Sequence, residues 1–199
     1  MTITKEMLDQ FKDIGASTVY EAAGKLGDLS PGIRPIGPAD RMVGPAYTIK
    51  CWPGDISPVR RAVDEAPVGS VLVIDAGETV RSTCWGGGAV IVAKRRGLAG
   101  TVCNGATRDL SQISKSNFPV FCTGVTVRGA VRSHPGWIGI PVCVGGVVIH
   151  PGDLIVADAD GVVAVEVAKV QEVLAKSIEK KKADVERGAR MEAGERYNI

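Results

Sequence analysis

The sequence predicts an α/β fold with a central mixed sheet, a parallel crossover near residues 70–103, an antiparallel C-terminal half and a long C-terminal helix. Three observations favour it. The apolar run from Ser70 to Asp75 is followed by an amphipathic helix and a second short strand at Thr101 to Cys103, which indicates a right-handed strand–helix–strand crossover. Short β segments separated by turn residues fill positions 118–166. Apolar residues then recur at helical spacing between Ala168 and Arg190.

The elements before the crossover follow from local signals. Met7, Leu8 and Phe11 would share one face of a first helix, and Ser17 is expected to cap a second. Their expected spans, with those of the next elements, are helices Thr4–Phe11 and Thr18–Lys25, a proline-rich connection Leu29–Asp40, a strand Gly44–Cys51 and a helix Ser57–Glu65.

The second half is expected to be a meander of mainly antiparallel strands. The expected strands are Phe118–Thr123, Val125–Val131, Pro141–Val144, Val147–His150, Leu154–Ala157 and Val162–Glu166. Turn signals such as Gly145-Gly146 and Asp160-Gly161 separate several of them.

Composition limits the class of protein. The chain has 199 residues, 45% hydrophobic and 23% charged, which is typical of one soluble domain spanning residues 1–199. A net charge of +2 gives no reason to expect a nucleic-acid partner. No apolar run reaches the ~20 residues of a membrane span, and the polar start of the chain does not resemble a signal peptide.

Cysteine and histidine exclude several kinds of site. The five cysteines are widely spaced and form no C-x-x-C pair, so we expect buried, reduced thiols and a cytoplasmic location. His134 and His150 are the only histidines, which rules out a three-histidine zinc site. The ligands of any metal must therefore be mostly oxygen atoms.

One stretch, Gly86 to Asp109, carries the strongest functional signal. Three consecutive glycines begin its helix, and amide groups at a helix start can bind an anion closely. Arg108 and Asp109 lie at its other end and could grip a carboxylate and a hard cation. The structural alternative is that Asp109 merely caps a helix over residues 110–114 and that the glycines serve close packing.

Several segments together resemble the RraA-like family. They occur in the family's order over roughly residues 14–195, and they are GASTVYEAAGKLG, RMVGPAYTIKC, GGAVIVAKRRGLAGTVCNGATRD and IPVCVGGVVIHPGDLIVADADGVVAVE. That family includes class II 4-hydroxy-4-methyl-2-oxoglutarate aldolases, oxaloacetate decarboxylases and the regulator of ribonuclease activity A. The resemblance implies its swivelling β/β/α domain.

The resemblance also implies roles for individual residues. Arg108 would be the catalytic group that polarises the keto oxygen of the substrate, and Asp109 would bind a divalent cation, Mg²⁺ or Mn²⁺. The substrate carboxylate would lie against Arg108 and the amide groups at Gly87, Gly88 and Ala89. Family enzymes carry an acidic residue at the mouth of that helix, whereas this chain has Gly87 there, a loss that should weaken metal binding.

Acidic residues elsewhere could complete the metal site. In the family one comes from the C-terminal helix of a neighbouring subunit, and Asp184 is the candidate here, with Glu179 and Glu186 as alternatives. Asn104 stands where many members of the family have aspartate. Within the chain, Asp75 or Glu78 could replace the missing charge from a different loop.

These expectations converge on a metal-dependent lyase that cleaves a 2-oxo dicarboxylic acid to pyruvate, by retro-aldol reaction or by decarboxylation. The alternative is a non-catalytic protein-binding regulator, or a relative with altered chemistry. Schiff-base catalysis by Lys94 is disfavoured because Arg95 and Arg96 follow it on a surface helix. The resemblance further implies a homotrimer or hexamer acting on a small 2-oxo acid, with neither nucleic acid nor membrane as partner.

Overall fold

The computed structural model describes residues 2–196. The helices within these residues are α1 (Lys5–Phe11), α2 (Ala16–Ala22), α3 (Ser57–Glu65), α4 (Gly87–Arg95), α5 (Leu110–Ser116) and α6 (Val170–Glu192). The strands are β1 (Arg34–Pro35), β2 (Met42–Lys50), β3 (Val71–Asp75), β4 (Thr83–Trp85), β5 (Gly100–Cys103), β6 (Ala106–Thr107), β7 (Val120–Cys122), β8 (Gly124–Val125), β9 (Trp137–Ile138), β10 (Val142–Val144), β11 (Val147–Ile149), β12 (Leu154–Asp158) and β13 (Gly161–Val165).

A mixed main sheet forms the centre of the fold. Its strand order is β1-β7-β5-β3-β2-β12-β13, and β9 pairs with the end of β2. Strands β2, β3, β5 and β7 run parallel, while β1, β9, β12 and β13 are antiparallel to their neighbours. All of β3 is buried because structure covers both faces of the sheet. The predicted crossover between β3 and β5 through α4 is confirmed.

The second half is less antiparallel than predicted. The hairpins β10–β11 and β12–β13 are antiparallel as expected, but β7 pairs parallel with β5 and β8 pairs parallel with β6. The predicted strand Val125–Val131 is wrong beyond β8. Its backbone hydrogen bonds go to separate segments, with Val131 donating to the carbonyl of Gly54, and Val127 is 96% exposed. The alternation in the sequence therefore reflects a loop that crosses to the start of α3.

A second, small sheet positions the functional residues. Strands β4, β6 and β8 form it and run parallel to one another, and no pattern in the sequence predicts β4. Because carboxyl ends of parallel strands meet at one edge, Gly86 after β4 lies close to Arg108 after β6. The short sheet thus explains how residues about twenty positions apart come together.

Three hydrophobic clusters hold the layers together. One lies between the main sheet and helices α3, α4 and α5, a second under the β10–β11 hairpin, and a third between α1, α2, α6 and the β12–β13 hairpin. Among the apolar residues that recur along α6, Val170, Val173 and Leu174 are buried, whereas Ile178 is half-exposed. No helix among residues 2–196 is both long and apolar enough to cross a membrane.

Helices α1 and α3 are close to their predicted bounds, whereas α2 differs in both its bounds and its cap. Thr4 caps α1, and α3 begins at Ser57 and ends at Glu65 as expected. Helix α2 spans Ala16–Ala22 rather than Thr18–Lys25, so it begins and ends earlier than predicted, and Ser17 does not cap it. Instead the amide of Ala16 donates to the Asp158 carboxylate from β12, at 2.7 Å. A tertiary contact therefore replaces the local cap.

Candidate active site

A cavity of about 370 Å³ lies at the carboxyl ends of β4 and β6. Gly86, Gly88 and Ala89 line it from the start of α4, and Arg108 and Asp109 line it from the segment after β6. The glycine turn and the Arg-Asp pair, predicted from separate signals, thus face one space. Its further charged lining consists of Arg60, Asp64 and Arg132.

The amide groups at the start of α4 are not equivalent. The amide of Gly87 donates to Asp109 Oδ2 at 3.1 Å, and that of Ala89 donates to the Gly86 carbonyl at 3.0 Å. In the described part of the chain, the Gly88 amide has no acceptor. Of the three predicted anion donors, Gly88 is therefore the one free to bind a carboxylate, with the helix dipole adding to the attraction.

Arg108 lies beside the glycine turn. Its backbone amide donates to the Trp85 carbonyl at 3.2 Å, which fixes it next to the end of β4. A Cβ atom at Gly86 would lie 3.4 Å from Arg108 Cγ, and one at Gly129 would lie 3.2 Å from Nη1. The side chain is 43% exposed, and its Nε is 3.6 Å from Asp109 Oδ2. Two glycines thus leave room for a guanidinium that remains accessible to a ligand.

Asp109 adopts a left-handed backbone conformation, with φ 64° and ψ 40°. This costs about 1 kcal/mol for a residue other than glycine, although aspartate tolerates it better than most. Asp109 occupies the N-cap position of α5, yet its side chain makes no capping bond there and binds Gly87 instead. The alternative that it merely caps α5 is therefore wrong: its carboxylate, 39% exposed, caps α4 at the cavity.

The residues at the cavity fit a hard divalent cation with few protein ligands. Asp109 supplies one half-exposed carboxylate, and Asp64 is the other carboxylate in the lining. Among residues 2–196 there is no group of three or more side chains placed to hold a metal. Mg²⁺ is commonly held by one or two carboxylates together with water and substrate oxygens, and this donor set suits that arrangement.

The space that an acidic residue at position 87 would fill is taken by Gln112. A Cβ atom at Gly87 would lie 1.8 Å from Gln112 Oε1 and 3.0 Å from its Cβ. Sequence reasoning missed this side chain. The sequence feature that could have indicated it is its spacing from Asp109, because residues three apart on a helix share a face. Gln112 brings an uncharged carboxamide to the place where the resemblance to the family implies a carboxylate.

Neither proposed replacement acid within the chain lines the cavity. Asp75 is buried, forms an ion pair with Lys50 and accepts a hydrogen bond from Asn104 Nδ2 at 3.2 Å. Burial raises its pKa, but these bonds and the one from the Gly77 amide outweigh burial and leave the pKa below its usual value. Glu78 is exposed, with φ 54°. Asp75 thus stabilises the ends of β3 and β5.

The candidate acids of α6 lie on a different face of the chain. Asp184 binds Lys180 at 3.2 Å and Arg187 at 2.9 Å, while Glu179 and Glu186 are exposed. Helix α6 packs on α1 and α2, away from α4 and α5. Their contribution to the site of a neighbouring subunit stays a prediction.

The disfavoured nucleophile and the histidines also lie outside the cavity. Lys94 Nζ donates to the Ser116 carbonyl, as expected of a surface lysine. His150 Nδ1 lies 3.6 Å from Asp153 Oδ2, and His134 contacts Trp52 with ring centroids 5.7 Å apart. Of the five cysteines, four are buried as predicted, whereas Cys143 is exposed.

A buried carboxylate fixes one wall of the cavity. Asp55 is 2% exposed and accepts hydrogen bonds from the amides of Ser57 at 2.7 Å, Ser133 at 2.6 Å and His134 at 2.9 Å. We call this group the Asp55 clamp. Burial raises the pKa of Asp55, but the hydrogen bonds from Ser133, Ser57 and His134 outweigh it and lower the pKa to about 2. The clamp ties residues 133–134 to the start of α3.

Replacing Asp55 with asparagine should lower the free energy of unfolding by about 2 kcal/mol at neutral pH, since charge-assisted hydrogen bonds are lost. Because the folded pKa lies below the unfolded value of 3.8, the carboxylate stabilises the fold above that value. This contribution is lost as the pH falls toward about 2. Thermal unfolding should therefore show a gap between wild type and variant that narrows below pH ~4. A gap of equal size at acidic and neutral pH would contradict the role of the clamp.

Comparison with known proteins agrees with this architecture. The family model described as "RraA-like: Aldolase/RraA" matches residues 7–164. A protein of Halalkalibacterium halodurans named "Putative 4-hydroxy-4-methyl-2-oxoglutarate aldolase" is 40% identical over 182 residues, which cover 91% of this chain and 86% of the relative.

Two solved structures are similar over nearly their whole length. Streptomyces coelicolor RraAS2, described as an unusual member of the RNase ES inhibitor RraA family, has a TM-score of 0.85 and 30% identity, covering 95% of this chain and 98% of that one. An uncharacterized Pseudomonas syringae protein has a TM-score of 0.87 and 26% identity, covering 98% and 96%. With the family model matched over most of its length, the chain belongs to the RraA-like family.

Proposed function

We propose that the chain is a metal-dependent lyase that cleaves a 2-oxo dicarboxylic acid to pyruvate. Its substrates would be 4-hydroxy-4-methyl-2-oxoglutarate, by retro-aldol reaction, or oxaloacetate, by decarboxylation. The single observation that carries the proposal is the shared cavity of Arg108 and the free Gly88 amide. The name of the Halalkalibacterium halodurans relative supports the same class of reaction.

Both reactions require a stabilised enolate. The substrate carboxylate would accept a hydrogen bond from Gly88 at the positive end of α4, and Arg108 would donate to the keto oxygen. When the bond between C3 and C4 breaks, its electron pair passes to C3 and spreads onto that oxygen. The guanidinium is already in place to stabilise the negative charge that develops there.

Asp109 would hold the divalent cation, Mg²⁺ or Mn²⁺, which when bound adds positive charge beside the keto oxygen. The carboxylate is restrained for this task by the Gly87 amide and by Arg108. In the retro-aldol reaction the 4-hydroxyl group loses its proton to solvent as C4 becomes a keto carbon. A proton from solvent then adds to C3 in either reaction and completes pyruvate. The second product is another pyruvate from 4-hydroxy-4-methyl-2-oxoglutarate and carbon dioxide from oxaloacetate.

A coupled assay for pyruvate tests the proposal. We expect pyruvate release from at least one of the two acids in the presence of Mg²⁺ or Mn²⁺. A chelator should abolish that release, because the cation would have few protein ligands besides Asp109. Restoring the metal should restore the rate. No pyruvate from either acid with either metal would overturn the lyase proposal.

The alternative is a protein-binding regulator that has kept the fold and lost the chemistry. Gly87 favours it, because the carboxamide of Gln112 cannot replace the charge of a carboxylate. The likeness to RraAS2 supports it as well. Under this alternative the cavity would bind no 2-oxo acid.

Assembly and location complete the proposal. We propose a homotrimer or hexamer, supported by the exposed pair Trp52 and Trp137, whose ring centroids lie 5.9 Å apart. Light scattering checks this, and a monomer would contradict it.

The buried thiols support a cytoplasmic location, testable by cell fractionation.

A further inference from the structure

Two arginines in the cavity have no task in the reaction proposed above. Arg60 belongs to α3 and Arg132 to the loop after β8, and both line the cavity with Arg108. Within residues 2–196, neither forms an ion pair nor donates a side-chain hydrogen bond. By contrast Arg61, the next residue on α3, pairs with Glu65 at 3.7 Å. Arginine with no protein partner in a cavity is suited to an anionic ligand, since its fork of donors matches a carboxylate.

The fold brings these two arginines to one wall. Arg132 lies between Val131, whose amide donates to Gly54 at 2.8 Å, and Ser133, whose amide donates to Asp55. Arg60 lies one turn into α3, and its amide donates to the carbonyl of Ile56. The Asp55 clamp thus fixes the backbone beside both residues. These backbone contacts bring Arg60 and Arg132 to the same cavity, although they are far apart in the sequence.

The charge of the cavity favours a ligand with two negative groups. Three arginines face two aspartates, Asp64 and Asp109, so positive charge is in excess even before a cation binds. With a divalent cation bound at Asp109 this excess grows to three charges, and one carboxylate placed against Gly88 and Arg108 would offset only one of them. A second carboxylate on the same molecule would offset another.

We propose that Arg60 and Arg132 bind the second carboxylate of the substrate and so select dicarboxylic over monocarboxylic 2-oxo acids. This rests on the proposed function in one respect: the first carboxylate and the keto group lie at Gly88 and Arg108. The selection is a matter of binding, and it is measurable with acids that are not cleaved.

The test compares 2-oxoglutarate with 2-oxopentanoate, by calorimetry in the presence of Mg²⁺. The two acids share a five-carbon chain and differ only in the distal carboxylate, and neither has the 4-hydroxyl group that retro-aldol cleavage requires. We expect the wild type to bind 2-oxoglutarate about tenfold to a hundredfold more tightly, the effect of one or two charge-assisted contacts. Arg60→Gln and Arg132→Gln should each reduce this preference, and the double variant should remove it.

Arg61→Gln is the matched control. It removes the same charge one position along α3, outside the cavity lining, and should keep the wild-type preference. A simple loss of net charge would affect all three single variants alike. Equal affinity of the wild type for both acids, binding of neither, or a preference that survives in the double variant would overturn the inference.

The outcome separates this inference from the lyase proposal. Pyruvate release without a preference for 2-oxoglutarate would refute the role of Arg60 and Arg132 and leave the lyase standing. A preference that depends on these arginines, without pyruvate release from either acid, would do the reverse.

Discussion

Arg108→Ala should lower the rate constant for pyruvate release by at least about a hundredfold, the usual cost of removing one donor to a developing oxyanion. Arg108 is the arginine of the cavity that lies against the glycine turn, since its Cγ and Nε are among the three atoms nearest to a Cβ placed at Gly86. The melting temperature should change little, because the side chain is 43% exposed and its ion pair is long. Steady-state kinetics and thermal unfolding of the same preparation measure both effects.

The matched control for this experiment is Arg95→Ala. Arg95 lies in the last turn of α4, outside the cavity lining, so the variant should keep its activity. If Arg108→Ala instead kept its activity and unfolded at a clearly lower temperature, Arg108 would be a structural residue and the proposed mechanism would fail.

Asp109→Asn should weaken the response to Mg²⁺ and lower activity by about a hundredfold or more, because a neutral amide is a poor ligand for a hard cation. Asparagine is the informative substitution. It tolerates the left-handed conformation at φ 64°, and its oxygen can still accept from Gly87. Backbone strain and the cap of α4 are thus nearly unchanged. A titration of activity against Mg²⁺ concentration measures the effect.

Asp160→Asn, in the exposed β12–β13 turn, controls for the loss of one negative charge and should behave as wild type. An Asp109→Asn enzyme with an unaltered Mg²⁺ response would show that the cation binds elsewhere. A large loss of stability in that variant would assign Asp109 to the fold rather than to the metal.

The part of the site that sequence predicts is the part that depends on local geometry. Glycines at the start of a helix allow another group to approach the backbone closely, and Arg108 and Asp109 lie beside the first of the three, Gly86. Because the elements around them have strong signals, the β3–β5 crossover, α3 and α6 were also predicted with nearly correct bounds. The resemblance to the RraA-like family then indicated that the glycine turn and the Arg108-Asp109 pair belong to one site.

The remainder depends on tertiary contacts that a sequence does not display. Strand β4 is three residues long, and its pairing partner is the parallel strand β6, which lies about twenty residues further along the chain. Which amide of α4 stays free is decided by the side chain of Asp109, not by the glycines themselves. Gln112 fills the space over Gly87 through the turn of α5. Asp55 belongs to no recognisable sequence motif, yet its carboxylate accepts a hydrogen bond from Ser133 and so fixes the backbone next to Arg132.

A crystal structure with pyruvate and Mg²⁺ bound would show whether the cavity is the reaction site, because pyruvate is the product common to both proposed reactions. We expect a pyruvate carboxylate oxygen about 3 Å from the Gly88 amide, the keto oxygen within hydrogen-bonding reach of the Arg108 guanidinium, and Mg²⁺ at Asp109. Pyruvate bound away from the start of α4, with Arg108 turned into solvent, would contradict it.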